Sequence, residues 1–174
     1  MSEKVRVMLP EEDLDQRIRE LGAQISKDYE GKTVYLVCVL KGAAVFAMEL
    51  AKRITVPCVI DFMATSSYGS GTVSSGVVKV TKELDMDPKG RDVLVVEDII
   101  DSGNTLNFLQ NYFKEKEANS VKLCTMLDKP DRREVDVNVD YTGFSIPDEF
   151  VVGYGLDYDQ RYRNLPYIGV MELD

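Results

Sequence analysis

The chain reads as an α/β protein built on an open, mostly parallel sheet flanked by helices, with a small C-terminal cap or lobe. Three observations carry this. Near-continuous apolar runs such as Val34–Leu40 and Val93–Val96 have the all-apolar character of strands covered on both faces. Segments with helical spacing alternate with those runs, the order of βαβ crossovers. The segment after Val93–Val96 passes through a tight turn straight into a helical pattern, which is where open α/β sheets bind ligands.

Taken in order, Leu14, Ile18, Leu21, Ile25 and Tyr29 recur at helical spacing after Pro10, and Gly31 stands just past them as a stop. The strand Val34–Leu40 leads through Lys41-Gly42 into a helix marked by Ala44, Phe46, Met48, Leu50 and Ala51, then a second apolar run at Val56–Met63. Residues 66–76, SSYGSGTVSSG, hold five serines and three glycines, too polar to pack, and predict a mobile loop. A strand at Val93–Val96, a helix from about Thr105 to Lys116 and a strand at Val121–Leu127 follow. The last stretch offers short β-like pieces at Val135/Val137/Val139, Phe150–Tyr154 and Tyr167–Met171, expected to form the small lobe. At 174 residues with 44% hydrophobic content, one domain spanning 1–174 is expected.

Composition excludes several function classes. Histidine is absent, so no His-ligated zinc, Ser-His-Asp triad or Cys-His pair is possible. Cys38, Cys58 and Cys124 lie in apolar runs without metal-ligand spacing and read as buried thiols in a reducing compartment. No apolar stretch approaches the roughly 20 residues of a membrane span, and the N-terminus has no signal-peptide core, so a cytoplasmic protein with no membrane partner is expected. Thirty acidic against 21 basic residues give a net charge of −9, which disfavours nucleic acid. Any phosphate site must then be local.

Residues 93–106, VLVVEDIIDSGNTL, supply one. A buried strand ends in adjacent carboxylates, Glu97 and Asp98; a Ser102-Gly103-Asn104 turn follows, and a helix begins at Thr105. Free amides at a helix N-terminus, with the hydroxyls of Ser102 and Thr105, suit a phosphate monoester. Carboxylates beside a phosphate would repel it unless they bind a ribose diol or Mg²⁺. No GxxxxGK[ST] motif occurs, and Gly69-Ser70-Gly71 only approaches GxGxxG.

The run VVEDIIDSGNTL resembles the phosphoribosyl pyrophosphate signature of phosphoribosyltransferases, and its EDIID wording is similar to the hypoxanthine-guanine branch. Leu40-Lys41-Gly42, Ser67-Tyr68, Lys129, the stretch from Gly143 to Tyr154, Leu156-Asp157-Tyr158 and Arg163 resemble that branch in the same order, over nearly the whole chain. The resemblance implies the type I phosphoribosyltransferase fold and a Mg²⁺-dependent transfer of a 5-phosphoribosyl group to a 6-oxopurine base. It implies Asp101 as the acid/base at purine N7, and Glu97 and Asp98 as ligands of the ribose hydroxyls, directly or through Mg²⁺. Asp157 would be a ligand of the second Mg²⁺, the one that joins pyrophosphate, and would also line the purine site. Lys41, Gly42 and Arg163 would meet pyrophosphate, and Ser102, Gly103, Asn104 and Thr105 the 5-phosphate. Some family members carry Lys at the place of Asn104, so the resemblance implies the backbone contact there and not a side-chain one. Lys129, Phe150 and Val151 would hold the base, with Ser67 and Tyr68 on a lid. Arg133 would assist the pyrophosphate contacts or, in the run Asp131–Glu134, be a solvated charge, and a homodimer or homotetramer is implied. Two rivals are a nucleotide-sensing regulator of similar fold, which would need a basic face to bind RNA, and a phosphoryl-receiver domain, whose acids come in a different order.

Overall fold

In the computed structural model of the chain, the description covers residues 2–68 and 77–174, with only the backbone of Tyr68. Strand β1 (Glu3–Leu9) precedes helix α1 (Glu11–Asp28), followed by β2 (Val34–Leu40), α2 (Ala44–Ala51), β3 (Cys58–Tyr68), β4 (Val77–Lys82), β5 (Asp92–Ile100), α3 (Asn104–Glu115), β6 (Ser120–Asp128), β7 (Tyr141–Ser145), β8 (Val151–Val152) and β9 (Ile168–Leu173). The main sheet runs β4-β3-β2-β5-β6-β7. All its pairings are parallel except β3–β4.

The two central strands show why their sequences are apolar throughout. In β2, Leu36 and Cys38 join one core cluster, with α1 and α2, while Tyr35, Val37 and Val39 join the other, with α3. In β5, Leu94 and Val96 face the first cluster and Val93 and Val95 the second. Each fully buried Leu or Val contributes roughly 1.5–3 kcal/mol, so a one-residue slip of either strand would not expose an apolar face and the register rests on the neighbours instead. Helix α1 buries Leu14, Ile18, Leu21 and Ile25 as its periodicity predicts, and places Glu11, Glu12 and Asp13 in its first turn, where the helix dipole favours them.

A second, three-stranded sheet runs β1-β9-β8. The small lobe is therefore not made from the C-terminal stretch alone: β1 pairs antiparallel with β9 from Glu3↔Leu173 to Leu9↔Ile168. Ile168 and Val170 of β9 pack in the same cluster as α1 and α2.

Several expectations need correction. Residues 135–139 form no strand, although Val137 is buried; the chain there folds back over the loop after β5, with the Glu134 and Val135 amides both donating to the Ser102 carbonyl. Residues 66–68 are not loop but the end of β3, paired with Lys79, Val78 and Val77 of β4. The rest of that predicted loop, 69–76, lies outside the described residues. Strand β5 does not stop before Glu97 and Asp98: it continues to Ile100 because Ile99 and Ile100 still pair with Leu127 and Asp128. Cys38 and Cys124 are buried free thiols as expected, but Cys58 is only half-buried, near the start of β3. No helix among the described residues is long and apolar enough to cross a membrane.

Candidate active site

The C-terminal ends of β2, β3 and β5 open onto a cavity of about 240 Å³. Its wall includes Leu40 and Gly42 from the β2–α2 turn, Thr65 and Ser67 from β3, Glu97 to Ile100 of β5, and Asp101, Ser102, Gly103 and Thr105 ahead of and within α3. The turn into α3 depends on Gly103, whose φ of 88° is left-handed and whose missing Cβ would lie 2.8 Å from the Val135 carbonyl. The Ser102 amide donates to Asp101 Oδ1 at 2.7 Å and the Asn104 amide to Ser102 Oγ at 3.2 Å. Among the described residues the amides of Gly103, Thr105 and Leu106 have no acceptor, leaving donors for an anion at the helix N-terminus.

Arg133 buttresses this loop. Its Nε donates to the Asp101 carbonyl at 3.1 Å and its Nη2 reaches the Asp128 carboxylate, so the solvated-charge reading of Arg133 fails. Sequence alone could not show it, because both partners are brought near by the β5–β6 pairing. The Asn104 side chain donates to Glu134 Oε2 at 3.3 Å and is not in the cavity wall.

Glu97 is buried, and Asp98 lies partly buried beside it. Burial first, and then the Asp98 charge, hold the Glu97 carboxyl well above its ordinary range. Burial also raises Asp98, opposed by the amide of Ile99, which donates at 2.6 Å, and by the charge of Arg163. Asp98 is seated against the Gly42 backbone, where a Cβ would stand 1.8 Å from its Oδ2. The Gly42 carbonyl also lies close to Gly155, at φ 102°, whose added Cβ would stand 2.2 Å from it. Gly42→Ala is therefore expected to displace the Asp98 carboxylate, costing about 1–3 kcal/mol as an overpacked contact and weakening any ligand held by Asp98. Unchanged melting temperature and unchanged ligand affinity would show that the site yields without cost.

The remaining predicted residues lie outside this wall. Lys41 is exposed, with Nζ 3.2 Å from Gln160 Oε1. Arg163 donates to the Gly155 carbonyl at 2.7 Å and faces Asp157 at 3.4 Å, and its charge also acts on Asp98 of β5. Asp157 is brought to Arg163 and not to the cavity. Lys129, directly after β6, donates its amide to the Ile100 carbonyl; its side chain is 13% exposed and its Nζ lies 3.9 Å from Asp148. Phe150 is 52% exposed, with Tyr158 edge-on at 5.8 Å, and Val151 is buried on β8, an edge strand. Burial pushes the Cys38 thiol up to about 12, which removes it as a nucleophile near neutrality.

The family model described as a phosphoribosyl transferase domain matches residues 10–159. The chain belongs to the phosphoribosyltransferase family. Among its relatives, the hypoxanthine-guanine phosphoribosyltransferase of Streptococcus thermophilus is 52% identical over 96% of this chain and 93% of its own. The hypoxanthine phosphoribosyltransferase of Salmonella typhimurium is 53% identical over 99% and 98%. A crystal structure of a hypoxanthine phosphoribosyltransferase from Staphylococcus aureus superposes with a TM-score of 0.93 at 48% identity, covering 96% of this chain and 91% of that one. The sheet, its flanking helices and the loop before α3 are those of the type I phosphoribosyltransferase fold. What sequence reading missed within this phosphoribosyltransferase site is Thr65, in the wall, and Gln160, between Lys41 and Arg163; neither sits in a motif with a local signature.

Proposed function

We propose that the chain is a purine salvage enzyme that transfers the 5-phosphoribosyl group of phosphoribosyl pyrophosphate to hypoxanthine and/or guanine, giving IMP or GMP and pyrophosphate. The observation that carries it is the union of an anion-ready loop, 101–105, with the buried Glu97 and the partly buried Asp98 in one cavity, in a chain so similar to enzymes of that name. A nucleotide-sensing regulator finds no support in these relatives. We read residues 1–174 as one such domain, cytoplasmic and assembled as a homodimer or homotetramer.

The amides of Gly103 and Thr105, with the hydroxyls of Ser102 and Thr105, cradle the 5-phosphate, while the Asn104 side chain stays turned to Glu134. Lys41, Gly42 and Arg163 meet pyrophosphate, and Glu97 and Asp98 accept from the ribose hydroxyls. The donor set suits Mg²⁺: two adjacent carboxylates, one buried and one partly buried, are costly without a cation. Among the described residues no three acidic or thiol side chains converge to make a complete metal cage. Such a pair fits a hard ion that takes its other ligands from substrate phosphates and water. Glu97 and Asp98 would hold one ion and Asp157 a second, and bound Mg²⁺ would supply charge to the departing pyrophosphate.

As the bond from the anomeric carbon to pyrophosphate stretches, the sugar gains oxocarbenium character, which the carboxylates around the ribose stabilise. Asp101, whose carboxyl lies at the mouth of the loop, takes the proton from purine N7 as the base adds. Phe150 offers its exposed face to the purine ring, Val151 its backbone on the edge strand, and Lys129 a donor to O6. Asp157 stands near the base. Ser67 in the wall and Tyr68 beyond it belong to the lid that keeps out water.

Purified protein given hypoxanthine, phosphoribosyl pyrophosphate and Mg²⁺ is expected to form IMP, and excess chelator to abolish turnover. Full activity in chelator would remove the metal from this scheme, and binding without product would restore the regulator.

A further inference from the structure

The segment carrying Asp157 and Arg163 is held in an unusual backbone. Tyr154, Asp159, Gln160 and Tyr162 have left-handed φ of 52°, 52°, 64° and 78°, whereas Glu117 is the one other described non-glycine residue to do so. Such conformations persist where surrounding contacts impose them. At Gln160 those contacts are specific. Its Oε1 accepts from Lys41 Nζ at 3.2 Å and from Arg163 Nη2 at 3.2 Å, while its backbone N–H donates to Asp157 Oδ2 at 3.0 Å.

Lys41 stands on the β2–α2 turn and Arg163 is 122 positions later, yet one oxygen accepts from both. Two cations repel each other, and an amide oxygen with two lone pairs can satisfy both while leaving their charge intact. A carboxylate at this place would hold them more strongly but, added to the Asp157 carboxylate that Arg163 already faces at 3.4 Å, would cancel more of the charge that a polyanion needs. The geometry points to Gln160 as a positioning residue that sets Lys41 and Arg163 side by side for the pyrophosphate group. This rests on the reading that those two side chains meet pyrophosphate.

Gln160→Met keeps the length and removes the acceptor. It is expected to raise the Kd of pyrophosphate with Mg²⁺, and the KM of phosphoribosyl pyrophosphate, about tenfold, the scale of one hydrogen bond to a charged group. The Kd of IMP and the KM of hypoxanthine should stay within about twofold. Gln160→Gly, which suits a left-handed backbone, should show the same loss without backbone strain. In an Arg163→Met or Lys41→Met background, Gln160→Met should add much less than it costs alone, because its task is then already undone.

Parent-like pyrophosphate affinity in Gln160→Met or Gln160→Gly overturns the proposal. So does an equal loss of IMP affinity, or full additivity in both backgrounds. If Arg163→Met and Lys41→Met themselves leave pyrophosphate affinity unaltered, the pyrophosphate reading of those two residues falls, and the role of Gln160 falls with it.

Discussion

Asp101→Ala is expected to lower kcat by about 10²-fold or more, the usual scale for losing a general acid/base, with a much smaller effect on the KM of phosphoribosyl pyrophosphate. Asp101 lies in the loop between β5 and α3, is exposed, and its Oδ1 accepts the Ser102 amide at 2.7 Å. That bond has two readings. If Asp101 serves only to shape the turn, its loss should disturb the phosphate loop and appear in phosphoribosyl pyrophosphate affinity and in thermal stability. If it handles the N7 proton, the loss should fall on the chemical step at saturating substrate. Asp101→Asn separates the two further, since an asparagine oxygen can still accept from Ser102 but cannot take a proton. A kcat for Asp101→Asn within about threefold of the parent would assign the residue to the turn.

Lys129→Ala is expected to weaken use of hypoxanthine and guanine strongly and to narrow their advantage over adenine. The ammonium is largely buried and its one ion-pair partner among the described residues, Asp148, is 3.9 Å away, so it is placed at the β6 end with donors still to spend. An oxopurine O6 accepts such a donor. Adenine sets an amino group against it, and a desolvated cation left without its partner can reject the wrong base by about 10⁴-fold. Asp148 also pairs with Arg132 at 3.5 Å, so the carboxylate keeps a partner in the variant and the local fold should survive. A fall of less than about threefold in kcat/KM for the oxopurines, or unaltered discrimination, would show that Lys129 does not read O6.

Which parts of the molecule were readable from its sequence follows from how local their physics is. Strands β2 and β5 are apolar on both faces because helices cover both, and α1 carries its periodicity over eighteen residues; these elements announce themselves. The run from Glu97 to Thr105 is equally local, since strand, carboxylates, left-handed glycine and helix start are adjacent in the chain. Strand β1 was hidden because Glu3, Lys4 and Arg6 interrupt it and its partner is at the far end of the sequence. Strand β4, mostly exposed and following a serine- and glycine-rich stretch, carries no strong apolar signal. The alternating Val135, Val137 and Val139 promised a strand, but the Ser102 carbonyl takes the amides of Glu134 and Val135 and the segment serves as a cover for the phosphate loop. Gln160 and Arg133 act through partners distant in sequence, which no spacing rule reaches.

The most direct measurement is product analysis with hypoxanthine, guanine and adenine at saturating phosphoribosyl pyrophosphate and Mg²⁺. Hypoxanthine and/or guanine are expected to be converted to the nucleotide with one pyrophosphate released per base consumed, and adenine to remain essentially unused. Phosphoribosyl pyrophosphate that binds while no base is consumed, or adenine converted as readily as hypoxanthine, would contradict phosphoribosyl transfer to a 6-oxopurine at this site.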